Sequence, residues 1–415
     1  MNLFDKIDTN SASHLLEGIV ETTPLSKNFN ISEEHNCNVF LKREDLQSVR
    51  SYKIRGAYNK ISSLSEEQVS KGVVCASAGN HAQGLALSCS KLNINGTIFM
   101  PSPTPKQKID QVKMFGKNKV EIVITGDTFD DAKSAAIAYC EQHKMAFIHP
   151  FDDLKTIEGQ STVAKEILEQ FNSEIDYVFL PIGGGGLAAG VSAYFKKHSP
   201  KTKIIAVEPK GAPSYSHAIA KGKPVKLNQI SKFIDGASVQ EVGKVTFEFC
   251  SKYVDDVVLV DEGKVCSTIL KLYNKDAIVV EPAGALSISA LDEYQEHLDG
   301  KNVVCVVSGS NNDITRMEEI KERSMLFEGT KHYFLIDFPQ RAGALREFVN
   351  DILGPFDDIT HFEYVKKHNR EKGPVRIGIE LKDKHDFHSL QERMRKQGFH
   401  SIHLNNDTTL LNSIV

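Results

Sequence analysis

Residues 176–190 read DYVFLPIGGGGLAAG: an apolar run, four glycines from Gly183 to Gly186, then a helical pattern. A strand that enters a helix through glycines brings backbone N–H groups to the helix N-terminus, where the dipole also favours negative charge. A phosphate site is the inference. A turn that binds nothing is the poorer account, because four glycines carry a large entropic cost if nothing requires them. Gly183, Gly185 and Ala188 also satisfy the dinucleotide pattern G-x-G-x-x-G/A, and Glu208 ends the next strand about where a ribose-binding acid sits. A nicotinamide enzyme is therefore the rival reading. No Lys-Ser/Thr pair follows the glycines, which excludes a Walker A site.

Outward from this turn, β-rich runs alternate with helical stretches. Asn38–Lys42, Gly72–Ser77, Gly96–Pro101, Val120–Thr125, Asp176–Pro181, Lys203–Glu208 and Asn302–Ser308 read as buried strands, and Asn80–Lys91, Phe129–His143, Thr156–Phe171 and Pro282–His297 as helices. Each parallel crossover needs a helix, so the alternation predicts an α/β region with a mostly parallel open sheet. Near residue 325 the pattern changes. Strand Lys331–Phe338, helix Gly343–Leu353, strands Ile359–Tyr364 and Val375–Leu381, helix Lys384–Lys396 and strand Phe399–Asn405 follow in the order β-α-β-β-α-β, the ferredoxin-like split motif. The charged segment Val365–Pro374 reads as a solvated hairpin tip.

At 415 residues the chain exceeds what one core usually organises. With 40% hydrophobic and 25% charged residues it has the composition of a folded protein, and no stretch is apolar enough for a membrane span. The segment Met1–Leu16 lacks the uninterrupted apolar region of a secretory signal, so a cytoplasmic location is expected. Seven scattered cysteines with no C-x-x-C spacing argue against disulfides and zinc. A net charge of −4 with dispersed lysines makes nucleic acid an unsuitable partner.

Two other segments carry candidate chemistry. Lys53 follows Ser51-Tyr52 and opens a helix, although a lone lysine at such a place is usually a solvated charge. Ser77, Ala78, Gly79, Asn80 and His81 form a strand-to-helix turn whose free N–H groups suit a carboxylate, or equally a simple N-cap. Ser308 ends the last strand, and ligands of open parallel sheets bind beyond the carboxyl ends of strands.

In one order along the chain, SYKIRGA at 51–57, SAGNHAQG at 77–84, GGGGLAAG at 183–190, VEP at 207–209, EPAGA at 281–285 and SGSNND at 308–313 resemble threonine dehydratase, a fold type II pyridoxal-phosphate family. The resemblance implies a tryptophan-synthase β-like catalytic region of two subdomains over residues 1–325, the smaller at about 50–152, and one ACT-like regulatory domain over 326–415. It implies that Lys53 holds pyridoxal 5'-phosphate as a Schiff base and acts as the catalytic base. Asn80 would bond the ring hydroxyl, Gly183, Gly184, Gly185, Gly186 and Leu187 would wrap the phosphate, and Ser308 would face the ring nitrogen. The turn Ser77–His81 would clamp the substrate carboxylate.

Physical chemistry is consistent with these roles. A Schiff-base lysine must be neutral to react, and burial beside the positive end of a helix pushes it that way. A serine cannot keep the ring nitrogen protonated as an acid would, which suits elimination better than transamination. The implied reaction converts L-threonine to 2-oxobutanoate and ammonia at the start of isoleucine biosynthesis, with isoleucine as inhibitor at the turn Gln340–Gly343 and a homotetramer as the assembly. Fold alone leaves a packing role open for that module. Two departures stand out: Tyr52 where the family often has Phe, and Ser214 where related serine-acting members have an Asp near a bound cation. No metal ligand set is assigned, and a cation near Glu208 stays open. Serine dehydratase or racemase, a nicotinamide oxidoreductase and a non-enzymatic amino-acid sensor are the alternatives; the last would have no need of Lys53.

Overall fold

Apolar runs bounded by turns become strands wherever both faces can be covered. In the computed structural model, which describes residues 3–365 and 371–407, the N-terminal strands are β1 (Leu25–Lys27), β2 (Asn38–Arg43), β3 (Val73–Ala76), β4 (Gly96–Met100), β5 (Val120–Ile124), β6 (Ala146–Phe147), β7 (Tyr177–Pro181), β8 (Lys203–Pro209), β9 (Asp256–Val260) and β10 (Asn302–Val307). They form two sheets, ordered β1-β2-β10-β7-β8-β9 and β5-β4-β3-β6. Every pairing is parallel except β1 with β2. The smaller sheet uses only residues between β2 and β7, so it is inserted in the chain that forms the larger one.

Central strands explain their own composition. Val303 to Val307 of β10 are completely buried, which accounts for an unbroken apolar run, each side chain contributing roughly 1.5–3 kcal/mol. β5 departs from the expected buried strands. It lies at the sheet edge with Val120, Ile122 and Val123 only partly covered and Glu121 and Ile124 exposed, since an edge strand is covered from one side only. Three strands escaped the sequence reading, β1, β6 and β9, because two or three residues carry no period and β9 is half exposed at an edge of the larger sheet.

The stretch Pro282–His297 is not one helix. It breaks into a helix Pro282–Ser289, a 3-10 turn Leu291–Tyr294 and a short helix Gln295–Leu298. Ser289 Oγ donates to the Ala285 carbonyl one turn back, a bond that bends helices.

The chain divides into compact units between Thr315 and Arg316. That is earlier than the change of pattern near 325, because residues 321–328 belong to a helix Met317–Glu328 that packs on the first C-terminal strand and so goes with it. This unit contains β11 (Lys331–Pro339), β12 (Asp358–Tyr364), β13 (Lys372–Glu380) and β14 (His400–His403) with helices Ala344–Asp351 and Asp386–Lys396 between them. The sheet order β12-β13-β11-β14 is antiparallel throughout, the split β-α-β-β-α-β arrangement. Phe334, Phe338, Phe348 and Phe399 form its separate core. β13 starts at Lys372, before the expected Val375, and pairs with β11 from there; residues 366–370 of the charged hairpin tip lie outside the described residues.

No helix among the described residues is long and apolar enough to cross a membrane.

Candidate active site

Residues from distant segments meet at the carboxyl ends of β7 and β10. Lys53, Asn80, Gly183, Gly184, Gly185, Gly186, Leu187 and Ser308 all line one cavity. Ser77, Ala78, Gly79 and His81 do not line it.

The glycine turn is built for backbone donors. Gly185 sits at φ +93°, a conformation that L side chains rarely adopt, and caps the helix Gly186–His198. A Cβ on Gly184 would lie 2.3 Å from the Phe151 ring, so the ring seals the turn only because no side chain is there. Thr246 Oγ1 donates to the Gly184 carbonyl at 2.6 Å and Gly243 N–H at 3.2 Å. With that carbonyl engaged by the protein, the N–H groups at the helix start are the polar atoms left for an anion. Asp152 holds the donor helix in place by accepting from the N–H groups of Lys244, Val245 and Thr246.

Lys53 is placed by the chain before it and the charges after it. Ser51 bridges to Gly309 and Tyr52 N–H bonds the Ser308 carbonyl at 3.3 Å, which fastens the helix Lys53–Ser62 to the end of β10. Two residues on, the fully buried Arg55 donates to Glu44 and to Glu166, which also accepts from Lys42 at 2.6 Å. Burial pushes the Glu44 carboxyl upward, but the adjacent Arg55 guanidinium outweighs it and holds the group below its ordinary range. Removing one partner would strand a buried charge, so the network locks the helix that carries Lys53. Lys53 Nζ itself donates to the Pro150 carbonyl at 3.3 Å.

The opposite end of the cavity uses side chains. Asn80 Nδ2 donates to Glu281 Oε1 at 2.6 Å, and Asn80 Oδ1 accepts from Asn311 Nδ2 at 2.6 Å. Ser308 Oγ donates to the Ala283 carbonyl at 3.2 Å, and a rotation about its C–O bond is all it needs to serve another acceptor. His81 is turned away: its buried ring donates from Nε2 to the Ile148 carbonyl, and burial with the nearby Lys53 charge pushes it down to about 3. It offers a ligand its backbone only. His149, held down to about 4 chiefly by burial, accepts the Asp152 N–H at Nδ1 as a neutral ring.

Sequence reading missed Glu281, Phe151, Gly236 and Ala237 as cavity walls. Glu281 stood in a quoted motif without a role, and no periodic signal marks the loop at 236–237. Glu208, the acid the nicotinamide reading needs, is buried and absent from the cavity wall. Its carboxylate accepts from Tyr215 N–H, Ser216 N–H and the hydroxyls of Ser214 and Ser216. Where serine-acting relatives were expected to need an Asp, Ser214 is thus a donor to that carboxylate. Among the described residues, Glu34, His35 and Asp292 bring possible metal-ligand atoms together, but Lys271 and Lys264 pair with the two acids.

The donor set fits pyridoxal phosphate: an anion cradle without side chains, an amine beside it, and amide and hydroxyl groups at the far end. Comparison with known proteins agrees. Residues 16–309 match the family model "Pyridoxal-phosphate dependent enzyme", and residues 322–414 match "C-terminal regulatory domain of Threonine dehydratase". The chain is 56% identical over 404 residues to the L-threonine dehydratase biosynthetic IlvA of Halalkalibacterium halodurans, covering 97% of each chain. It is 55% identical over 400 residues to that of Bacillus subtilis, covering 96% of this chain and 95% of the relative. Among solved structures, the processed form of threonine deaminase isoform 2 from Solanum lycopersicum superposes with a TM-score of 0.72 at 38% identity, over 76% of this chain and 94% of that one. Maize serine racemase gives 0.71 at 32% identity, over 78% and 97%. The cofactor of this fold is pyridoxal 5'-phosphate, and the chain belongs to the pyridoxal-phosphate-dependent enzymes, in the threonine dehydratase family with a C-terminal regulatory domain.

Proposed function

We propose that this chain dehydrates and deaminates L-threonine to 2-oxobutanoate and ammonia, the entry into isoleucine biosynthesis. The observation that carries the reading is the convergence of Lys53, Asn80, the turn Gly183–Leu187 and Ser308 on one cavity. In this reading Lys53 anchors the cofactor, the N–H groups of Gly183 to Leu187 hold its phosphate, Asn80 meets its ring hydroxyl and Ser308 its ring nitrogen. Bound there, pyridoxal phosphate supplies an aldehyde for the substrate amine and a conjugated ring that spreads charge developing at Cα. Lys53, once its amine is free, takes the Cα proton. The turn Ser77–His81 receives the substrate carboxylate through N–H groups at the start of the helix Asn80–Leu92. Positioning and this proton transfer are the protein's own share of the acceleration.

An absorbance scan of the purified protein before and after threonine, with 2-oxobutanoate measured, tests cofactor and reaction together. Lys53→Ala should lose the visible band of the bound cofactor and at least about 100-fold in turnover. Full retention of both would sink the reading. Serine differs from threonine by one methyl group, worth about 1–3 kcal/mol in a pocket, so the ratio of kcat/KM for the two sets the preference.

The C-terminal unit is proposed to bind isoleucine at the turn Gln340–Gly343, which opens the helix Ala344–Asp351. Truncation after Thr315 should abolish isoleucine inhibition, and undiminished inhibition would refute the assignment. A homotetramer, read from the family, is tested by sedimentation. A cytoplasmic setting accords with seven cysteines that are all free thiols and six of them buried.

A further inference from the structure

The cofactor-facing amide of Asn80 is not free to choose its orientation. Asn311 gives both protons of its Nδ2 to protein acceptors, the Val49 carbonyl at 3.0 Å and Asn80 Oδ1 at 2.6 Å. Its own Oδ1 is left buried without a donor, so the Asn311 amide is oriented for what it gives. On the other side Glu281 Oε1 accepts one Asn80 Nδ2 proton at 2.6 Å. The other Nδ2 proton is uncommitted, and Asn80 lines the cavity.

We propose that Glu281 is a positioning residue which, with Asn311, fixes the Asn80 amide so that an N–H, not the carbonyl oxygen, meets the cofactor's ring hydroxyl. The inference rests on the function proposed above and adds a residue that acts on the cofactor through another. Glu281 is itself held: its N–H bonds the Gly309 carbonyl at 3.1 Å, and a Cβ on Gly309 would come within 2.5 Å of Oε1. Only glycine at 309 leaves the carboxyl its place.

An ionised carboxylate only accepts hydrogen bonds, so it dictates which end of the amide it meets; a protonated one can donate and loses that command. Burial, with Asp235 as like charge, raises the Glu281 carboxyl to about 7, against hydrogen bonds from Asn80 and the Asn311 N–H and the charge of Lys108. Lys108 is itself paired with Asp235 at 2.6 Å. Positioning therefore strengthens as pH rises through about 7.

The test is titration of apoprotein with pyridoxal phosphate, followed by absorbance, between pH 6 and 8.5. Glu281→Ala should weaken binding about 10-fold at pH 8 in the wild-type background, and less than about twofold when Asn80→Ala is already present. Glu281→Gln keeps size and an acceptor oxygen; it should fold, stay within about threefold of wild type at pH 8, and lose the wild-type rise in affinity near pH 7. Equal losses in the two backgrounds, or a pH step that survives Glu281→Gln, would overturn the inference while leaving the proposed function intact. Wild-type protein that binds no cofactor would overturn both.

Discussion

The two ends of the cavity solve the same task with different materials. At Gly183–Leu187 the ligand-facing groups are backbone N–H, oriented because Thr246 and Gly243 occupy the Gly184 carbonyl and because side chains are missing. At the far end the groups are the side chains of Asn80, Glu281 and Ser308, with Asn311 bonded to Asn80, each oriented by another side chain or a carbonyl. Backbone amides do not titrate, so the first end is insensitive to pH and vulnerable to added volume. The second contains a carboxyl that titrates, Glu281.

Titration separates them most strongly. Next to Asn80, His81, whose ring is turned away from the cavity, is pushed down to about 3 against about 6.5 in an unfolded chain, so between those values the unfolded state binds more protons. Its contribution is intact above about pH 6.5 and is lost as pH falls toward 3, by up to about 5 kcal/mol. Urea unfolding should show that loss shrink in His81→Gln, which keeps a donor for the Ile148 carbonyl. Glu281 runs the other way: raised to about 7 from an ordinary 4.5, it retains a proton the unfolded chain gives up, so stability falls as pH rises from 4.5 to 7. Glu281→Gln should remove that fall, about 3 kcal/mol, and a variant whose pH slope matched wild type would erase the contrast.

Volume should break the other end. Gly184→Val drives carbon into the Phe151 ring and should cost about 100-fold in cofactor affinity, near the upper range for overpacking, with little dependence on pH. Unchanged affinity would mean that the turn is not where the anion is held. The smallest effect is expected at Ser308→Ala. It removes one neutral hydrogen bond, worth about 1 kcal/mol, and should weaken binding roughly fivefold. A far larger loss would make Ser308 the principal contact of its end and Asn80 the accessory.

The site was legible in proportion to how locally it is built. Lys53 and Gly183–Leu187 are marked by short motifs at strand-to-helix turns, and the cavity brings them together. The turn Ser77–His81 reads as a source of N–H groups; where the His81 ring goes, to the Ile148 carbonyl, depends on a strand end 67 residues away. Glu281 had no visible role because its partner Asn80 is 201 residues distant in sequence, and Asn311 is 231 from that same asparagine.

What the chain declares without help is the alternation of buried strands with helices, the anion turn, and the change to a second, antiparallel unit, since each follows from short-range pattern: apolar period, glycine, capping. Which strand becomes an edge, where the stretch after Pro282 breaks, and which way a buried amide turns were decided by packing. Those outcomes depend on neighbours that are close in space and far apart along the backbone, and no local pattern carries them.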